Sequence, residues 1–311
     1  MAVLINYVNC ETQQLGTGII ECMANIDSEP IGFFLVDKRW SLPIADPSVF
    51  DIDYLLDRIQ DRTFIPFLNR TNFTQNTEDT VFQTFDSGIK GRVRPGFPEY
   101  SFEFDNGLYF QKASYSHNSF KQYNIVFAFG NGALLFARTV DTLSITGFDA
   151  GYVDTATYKL KTGSTITNTM VSFQLTNPDQ FNLRAYPLDS QQSQIDLSQI
   201  NGRIDVILTL QTPLAAATTL IFSARAAANE AIDILGLSDT DFRVVGTTGN
   251  ITALVYDSDT RLYTMTLSAG VAAAEDIYVQ LYDAAFTPDP VPAIQLAGEI
   301  YAGTSNTVTV L

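Results

Sequence analysis

Histidine, cysteine and positive charge are what this chain has little of. Its 311 residues include one histidine, His117, and two cysteines, Cys10 and Cys22. One imidazole excludes multi-histidine metal sites and most histidine-based catalysis. Two thiols exclude a disulfide framework and a cysteine-rich zinc module. Eighteen Lys and Arg stand against 34 Asp and Glu, a formal charge of −16. A tight nucleic-acid binder needs a basic face, so the balance argues against that class. No apolar run reaches the roughly 18 residues of a membrane-spanning helix, and residues 1–10 lack the charged start and apolar core of a secretory signal. No glycine-rich phosphate loop precedes a helix, and no Gly-x-Ser-x-Gly elbow is present. Wholesale disorder is excluded in turn, because 46% of residues are hydrophobic and only 17% are charged.

What is present is the vocabulary of β-sheet. There are 22 Phe and 14 Tyr beside abundant Thr, Val and Ile, types that suit a pleated, half-buried surface. Three hairpins are expected. Residues 100–104 and 108–112 flank Asp105-Asn106-Gly107, where Asn-Gly suits a type I′ turn. Residues 124–129 and 133–138 flank Gly130-Asn131-Gly132, with arms apolar enough to be covered on both faces. Residues 251–256 and 261–267 enclose 257–260, and there Tyr263, Met265 and Leu267 alternate with Leu262, Thr264 and Thr266. One helix is expected over 47–61, capped by Asp46, with Pro47 at its first position and Ile52, Leu55, Leu56 and Ile59 on one face. Residues 224–235 read as either helix or strand.

The polar stretch 189–201 reads as a linker between domains 1–200 and 201–311. Beyond it there is no Lys, and four Arg face twelve acids. The expected fold class is all-β and mainly antiparallel: a β-sandwich or barrel core with one flanking α-helix, then a second, immunoglobulin-like β-sandwich of about 110 residues.

Candidate chemistry is thin. His117 lies among serines at 114–120, yet a triad is a matter of geometry, and a loop or surface role is the expectation. Cys10 and Cys22 read first as buried thiols and second as a disulfide. Acidic pairs at Asp51/Asp53, Asp239/Asp241 and Asp257/Asp259 lack the spacing and terminal Glu of a calcium loop. Asn69, Asn72 and Asn250 match the glycosylation pattern, which means little without a secretion signal. No metal, cofactor or catalytic residue is expected. The one basic cluster is Lys90-Gly-Arg92-Val-Arg94, and strict alternation on a strand would place its three cations on one face. In so acidic a chain they suit an acidic partner surface. Lys90, Arg92 and Arg94 are therefore candidate subunit-interface residues, together with Phe73 and Phe82. Phe73 lies in the charge-poor stretch 61–79, which is a candidate for ordering only on assembly.

The run Asp79-Thr-Val-Phe-Gln-Thr-Phe-Asp-Ser-Gly88, the basic strand, Phe97-Pro-Glu-Tyr-Ser-Phe-Glu-Phe104 and Met170-Val-Ser-Phe-Gln-Leu-Thr-Asn-Pro-Asp-Gln-Phe-Asn182 together resemble the virion structural proteins of tailed bacteriophages, most closely the major tail tube protein. The resemblance spans residues 65–185. It implies a non-enzymatic protein of the virion, assembled in the host cytoplasm. In that family, copies close into hexameric rings that stack as a tube. The implied partners are copies of the chain, other virion proteins and DNA passing the lumen without specific binding, and no membrane. Residues 202–311 would be an added outer domain. A capsid or head-decoration protein with two sandwiches shares this texture. From another class, a carbohydrate-binding adhesin would need a tyrosine platform, since Trp40 is the sole Trp.

Overall fold

The computed structural model describes residues 29–43, 50–141, 143–160, 167–188, 195–197, 200, 202–283, 292–296 and 299–311. Cys10, Cys22, Asp46, Pro47 and most of the stretch 189–201 lie outside the described residues. The chain divides into two compact units, one of Met1–Leu55 with Thr63–Leu197, the other of Leu56–Arg62 with Ser198–Leu311. Both are built mainly of antiparallel strands, so the all-β expectation holds.

The first unit has strands β1 (Pro30–Asp37), β2 (Leu42–Pro43), β3 (Phe64–Phe67), β4 (Asn72–Thr77), β5 (Val81–Thr84), β6 (Lys90–Arg94), β7 (Pro98–Phe104), β8 (Ser119–Phe120), β9 (Tyr123–Phe129), β10 (Leu134–Arg138), β11 (Ser144–Thr146), β12 (Phe148–Thr155), β13 (Thr169–Leu175) and β14 (Ala185–Leu188). Helices α2 (Gly107–Tyr115) and α3 (Pro178–Arg184) belong to it, and α1 (Ile52–Gln60) begins in it, its residues from Leu56 on falling in the second unit. One twelve-stranded sheet runs β2-β11-β10-β9-β12-β13-β7-β4, with β1, β3, β8 and β14 pairing off that path.

The centre of this sheet is covered on both faces, as the apolar runs of β9 and β10 require. On one side Phe33, Phe102, Phe127 and Phe173 interlock with ring centroids 4.9–5.9 Å apart. On the other, Trp40 packs against Phe50, Phe64 and Phe136 while its indole N–H donates to the Tyr54 hydroxyl at 3.1 Å. The expected hairpin over 124–138 is formed by β9 and β10, paired at Ala128↔Leu134 and Phe127↔Leu135.

Three sequence expectations for this unit are corrected. Helix α1 begins at Ile52 rather than Pro47, because the Asp51 carboxylate accepts from the Tyr54 N–H at 2.8 Å and closes the first turn there. The hairpin expected over 100–112 does not form. Asn106 has φ −72° and only Gly107 is left-handed, at φ 84°, so the two positive φ values of a type I′ turn are not met. Strand β7 is already paired on both edges, by β13 and β4; residues 108–112 therefore have no edge to join and lie in α2. The stretch 61–79 is ordered within the chain, as β3 on β1 and β4 on β7. A third helix, α3, also exceeds the single one expected. Asn177 caps it by accepting from the Asp179 N–H at 3.1 Å, and Pro178 opens it.

The second unit has β15 (Arg203–Leu210), β16 (Thr219–Ala226), β17 (Asn229–Asp233), β18 (Phe242–Val245), β19 (Ile251–Asp257), β20 (Leu262–Leu267), β21 (Asp276–Leu281), β22 (Ala293–Leu296), β23 (Glu299–Ala302) and β24 (Val308–Thr309). One sheet runs β19-β20-β16-β15-β23-β22 with β17 beside β16, and the other runs β18-β21-β24. Both contribute to one core, Phe222, Tyr263 and Met265 from the first and Phe242, Ile277 and Val279 from the second. That is the arrangement of a β-sandwich. The hairpin over 251–267 forms, with Asp257 paired to Leu262 and Tyr256 to Tyr263 and with Tyr263, Met265 and Leu267 inward. The ambiguous stretch 224–235 is strand: β16 ends at Ala226 and β17 turns back along it.

Candidate assembly surface

Four of the five candidate interface residues share one element. Strands β5 and β6 form a two-stranded ribbon outside the main sheets. Its turn is closed by Phe85 N–H to Ile89 O at 2.9 Å and Gly88 N–H to Phe85 O at 2.8 Å. Its root is clamped. The Glu78 N–H donates to Phe97 O at 3.3 Å, and a Cβ on Gly96 would lie 1.7 Å from the Glu78 carbonyl oxygen, so only glycine allows the chains to cross that closely.

This arm exposes what a core would bury. Phe82 is 58% exposed and Ile89 67%, and Val81, Phe85 and Val93 are also exposed. Together they present on the order of 500 Å² of apolar side chain, the scale at which exposure marks an interaction site.

The cations are not all on one face. Thr84 pairs with Lys90 and Phe82 with Arg92, but Val81 pairs with Arg94. Strand β6 thus carries one extra residue between the last two pairs, a bulge that breaks the alternation. Lys90 shares a face with Thr84 and Phe82. Arg94 stands on the other, 3.4 Å from the Glu78 carboxylate, an exposed pair worth at most about 1 kcal/mol. Phe73 is elsewhere: on β4 its ring stacks on Tyr100 at 6.1 Å and meets Phe102 at 4.9 Å, at the rim of the core.

Two further surfaces carry no sequence signal of their own. Helix α2 packs Phe110 against Phe67 and Phe104, yet it also buries polar side chains and exposes apolar ones. Gln111 and Ser114 are buried, with Gln111 Nε2 donating to Ala156 O at 2.7 Å, while Leu108, Tyr109 and Tyr115 face outward. The outward face of β4, β7, β13 and β12 is acidic and polar. The register sets Glu99, Ser101 and Glu103 of β7 beside Gln174, Ser172 and Met170 of β13. It sets Tyr152 and Asp154 of β12 beyond them, and Asn72, Thr74 and Asn76 of β4 on the other side. Glu99 accepts from the Tyr152 hydroxyl at 2.8 Å, Glu103 from Asn168 at 2.9 Å and Asp154 from Asn118 at 3.2 Å. Burial first, and then the bond to Glu99, holds the Tyr152 hydroxyl well above the ordinary phenol range.

The remaining sequence candidates are occupied with structure. The His117 ring meets Phe67 and Tyr123 edge-on, with Nδ1 3.3 Å from the Tyr123 hydroxyl. The flanking Ser114 and Ser116 hydroxyls donate to backbone carbonyls at the end of α2. Asp241 joins Ser238 in a capping box, and Asp257 accepts from the Asp259 N–H and the Thr260 hydroxyl. Among the described residues no three His, Cys, Asp or Glu gather as a metal site, and no helix is long and apolar enough to cross a membrane. No model of a known protein family matches this chain, and no curated protein matches it.

Proposed function

We propose that this chain is a non-enzymatic structural subunit that assembles with copies of itself, in the manner of a tailed-phage tail tube protein. The observation that carries the reading is the β5–β6 arm, an exposed ribbon joining apolar side chains to cations and fixed at its root to a packed all-β unit. A ribbon with no core of its own gains little by folding alone, and burying Phe82 against a neighbour contributes about 1.5 kcal/mol. In this reading copies close into stacked hexameric rings in the virion, beside other virion proteins, and DNA passes the lumen without specific binding. The excess of acid suits such a conduit, because an acidic wall repels phosphate.

Negative-stain images and light scattering of the purified chain test this. Rings or tubes about 100 Å wide are expected, and replacing residues 81–94 by a short Gly-Ser linker should leave folded monomers. A wild-type chain that stays monomeric at high concentration overturns the reading.

A further inference from the structure

We infer that the arm of one copy docks on the outward face of β4, β7, β13 and β12 of a second copy. The inference rests on the assembly reading and names the receptor surface for it.

Charge makes the first argument. In the register of the arm Lys90 stands opposite Thr84 and Arg92 opposite Phe82. The sheet face presents Glu99, Glu103 and Asp154, and the outward positions of β4, β7, β13 and β12 hold no Lys or Arg; Lys159, bridged to Asn168, stands at one end, and Lys121 lies beside β12 with its Nζ 5.2 Å from the centre of the Phe120 ring. Among the described residues no ion pair reaches these three carboxylates, and each accepts instead from a neutral Tyr or Asn of its own chain. Those donors orient the carboxylates and leave acceptor capacity for a cation. In a chain of charge −16 two copies repel at a distance, so the contact that joins them needs locally opposite charge.

Spacing and apolar contact agree with this. Glu103 stands four residue steps along β7 from Glu99, roughly 13 Å, and Asp154 lies two strands over, roughly 10 Å away. Lys90 and Arg92 are roughly 7 Å apart along the backbone of β6, and the long stem of Lys90 lets its cation reach across that triangle. Beside it Phe120, 72% exposed, pairs with Tyr152, offering an aromatic partner for Phe82. Arm and receptor are different patches, so the contact is head-to-tail. Such a contact closes rings or propagates, and it does not stop at a dimer.

The test uses full-length chains of opposite design. Lys90→Glu with Arg92→Glu reverses the arm; Glu99→Lys with Glu103→Lys reverses the receptor. Each alone should lose at least tenfold in assembly by light scattering while its far-ultraviolet circular dichroism stays that of wild type. Mixed in equal amounts, they should co-assemble. Glu99→Gln with Glu103→Gln keeps acceptors for Tyr152 and Asn168, so it holds the fold if the Lys pair does not. It should weaken assembly at low salt and little at high salt. A receptor-reversed or Gln variant that assembles like wild type overturns the inference while self-assembly stands, as does a mixture of folded variants that stays monomeric. A wild-type chain that never assembles removes the reading beneath it.

Discussion

Asp233 at the end of β17 gathers three side chains of the second unit around its carboxylate. Arg261 reaches it through two nitrogens at 2.6 and 2.8 Å, the Tyr256 hydroxyl donates at 2.8 Å, and Arg225 lies 3.6 Å away. The Arg261 contact first, then the Tyr256 hydroxyl, holds its carboxyl below the ordinary carboxylate range. A depressed folded value contributes stability that is complete above about pH 4, the ordinary value. It is lost as pH falls through the lower, folded value. Asp233→Asn should therefore cost about 1–2 kcal/mol at neutral pH and flatten the acid limb of the unfolding curve, read by urea melts at pH 7 and pH 3. Ala216 errs the other way. It sits exposed at φ 63°, where an L side chain costs roughly 1–2 kcal/mol and glycine costs none. After the greater flexibility of an unfolded glycine is subtracted, Ala216→Gly should raise stability by about 0.5–1 kcal/mol in the same melts.

At the scale of elements, the root of the arm is the place to intervene. Gly96→Val forces the Glu78 carbonyl away, so the clamp should part, protease should cut within residues 81–94, and assembly should fall at least tenfold. The elements themselves were unevenly legible. The hairpins over 124–138 and 251–267 could be read because glycine turns and alternation agreed with the pairing each strand had available. The hairpin over 100–112 could not: the local signal at Asn106-Gly107 was sound, but both edges of β7 were taken by strands distant in sequence. Asn177-Pro178-Asp179 did announce α3, as a cap followed by a proline at the first helical position. The bulge in β6 left no mark in sequence, since it depends on how Val81 and Arg94 pair. The acidic face was equally hidden, because β7, β12 and β13 become neighbours only through the sheet.

At the scale of the molecule, composition carried further than motif. A chain rich in Phe and Tyr and poor in charge became two all-β units with aromatic cores, and three of its 18 cations fall on one short strand of an exposed ribbon. The clamped root of that ribbon has a consequence for growth. A tail that orders only on contact spends part of its interaction energy on its own folding, several kcal/mol for a segment this long. A ribbon already closed by Gly96 and Glu78 gives up translation, rotation and the freedom of its contact side chains, with no backbone left to order. Addition of a subunit is then paced by encounter and orientation, and elongation should show no lag attributable to chain ordering.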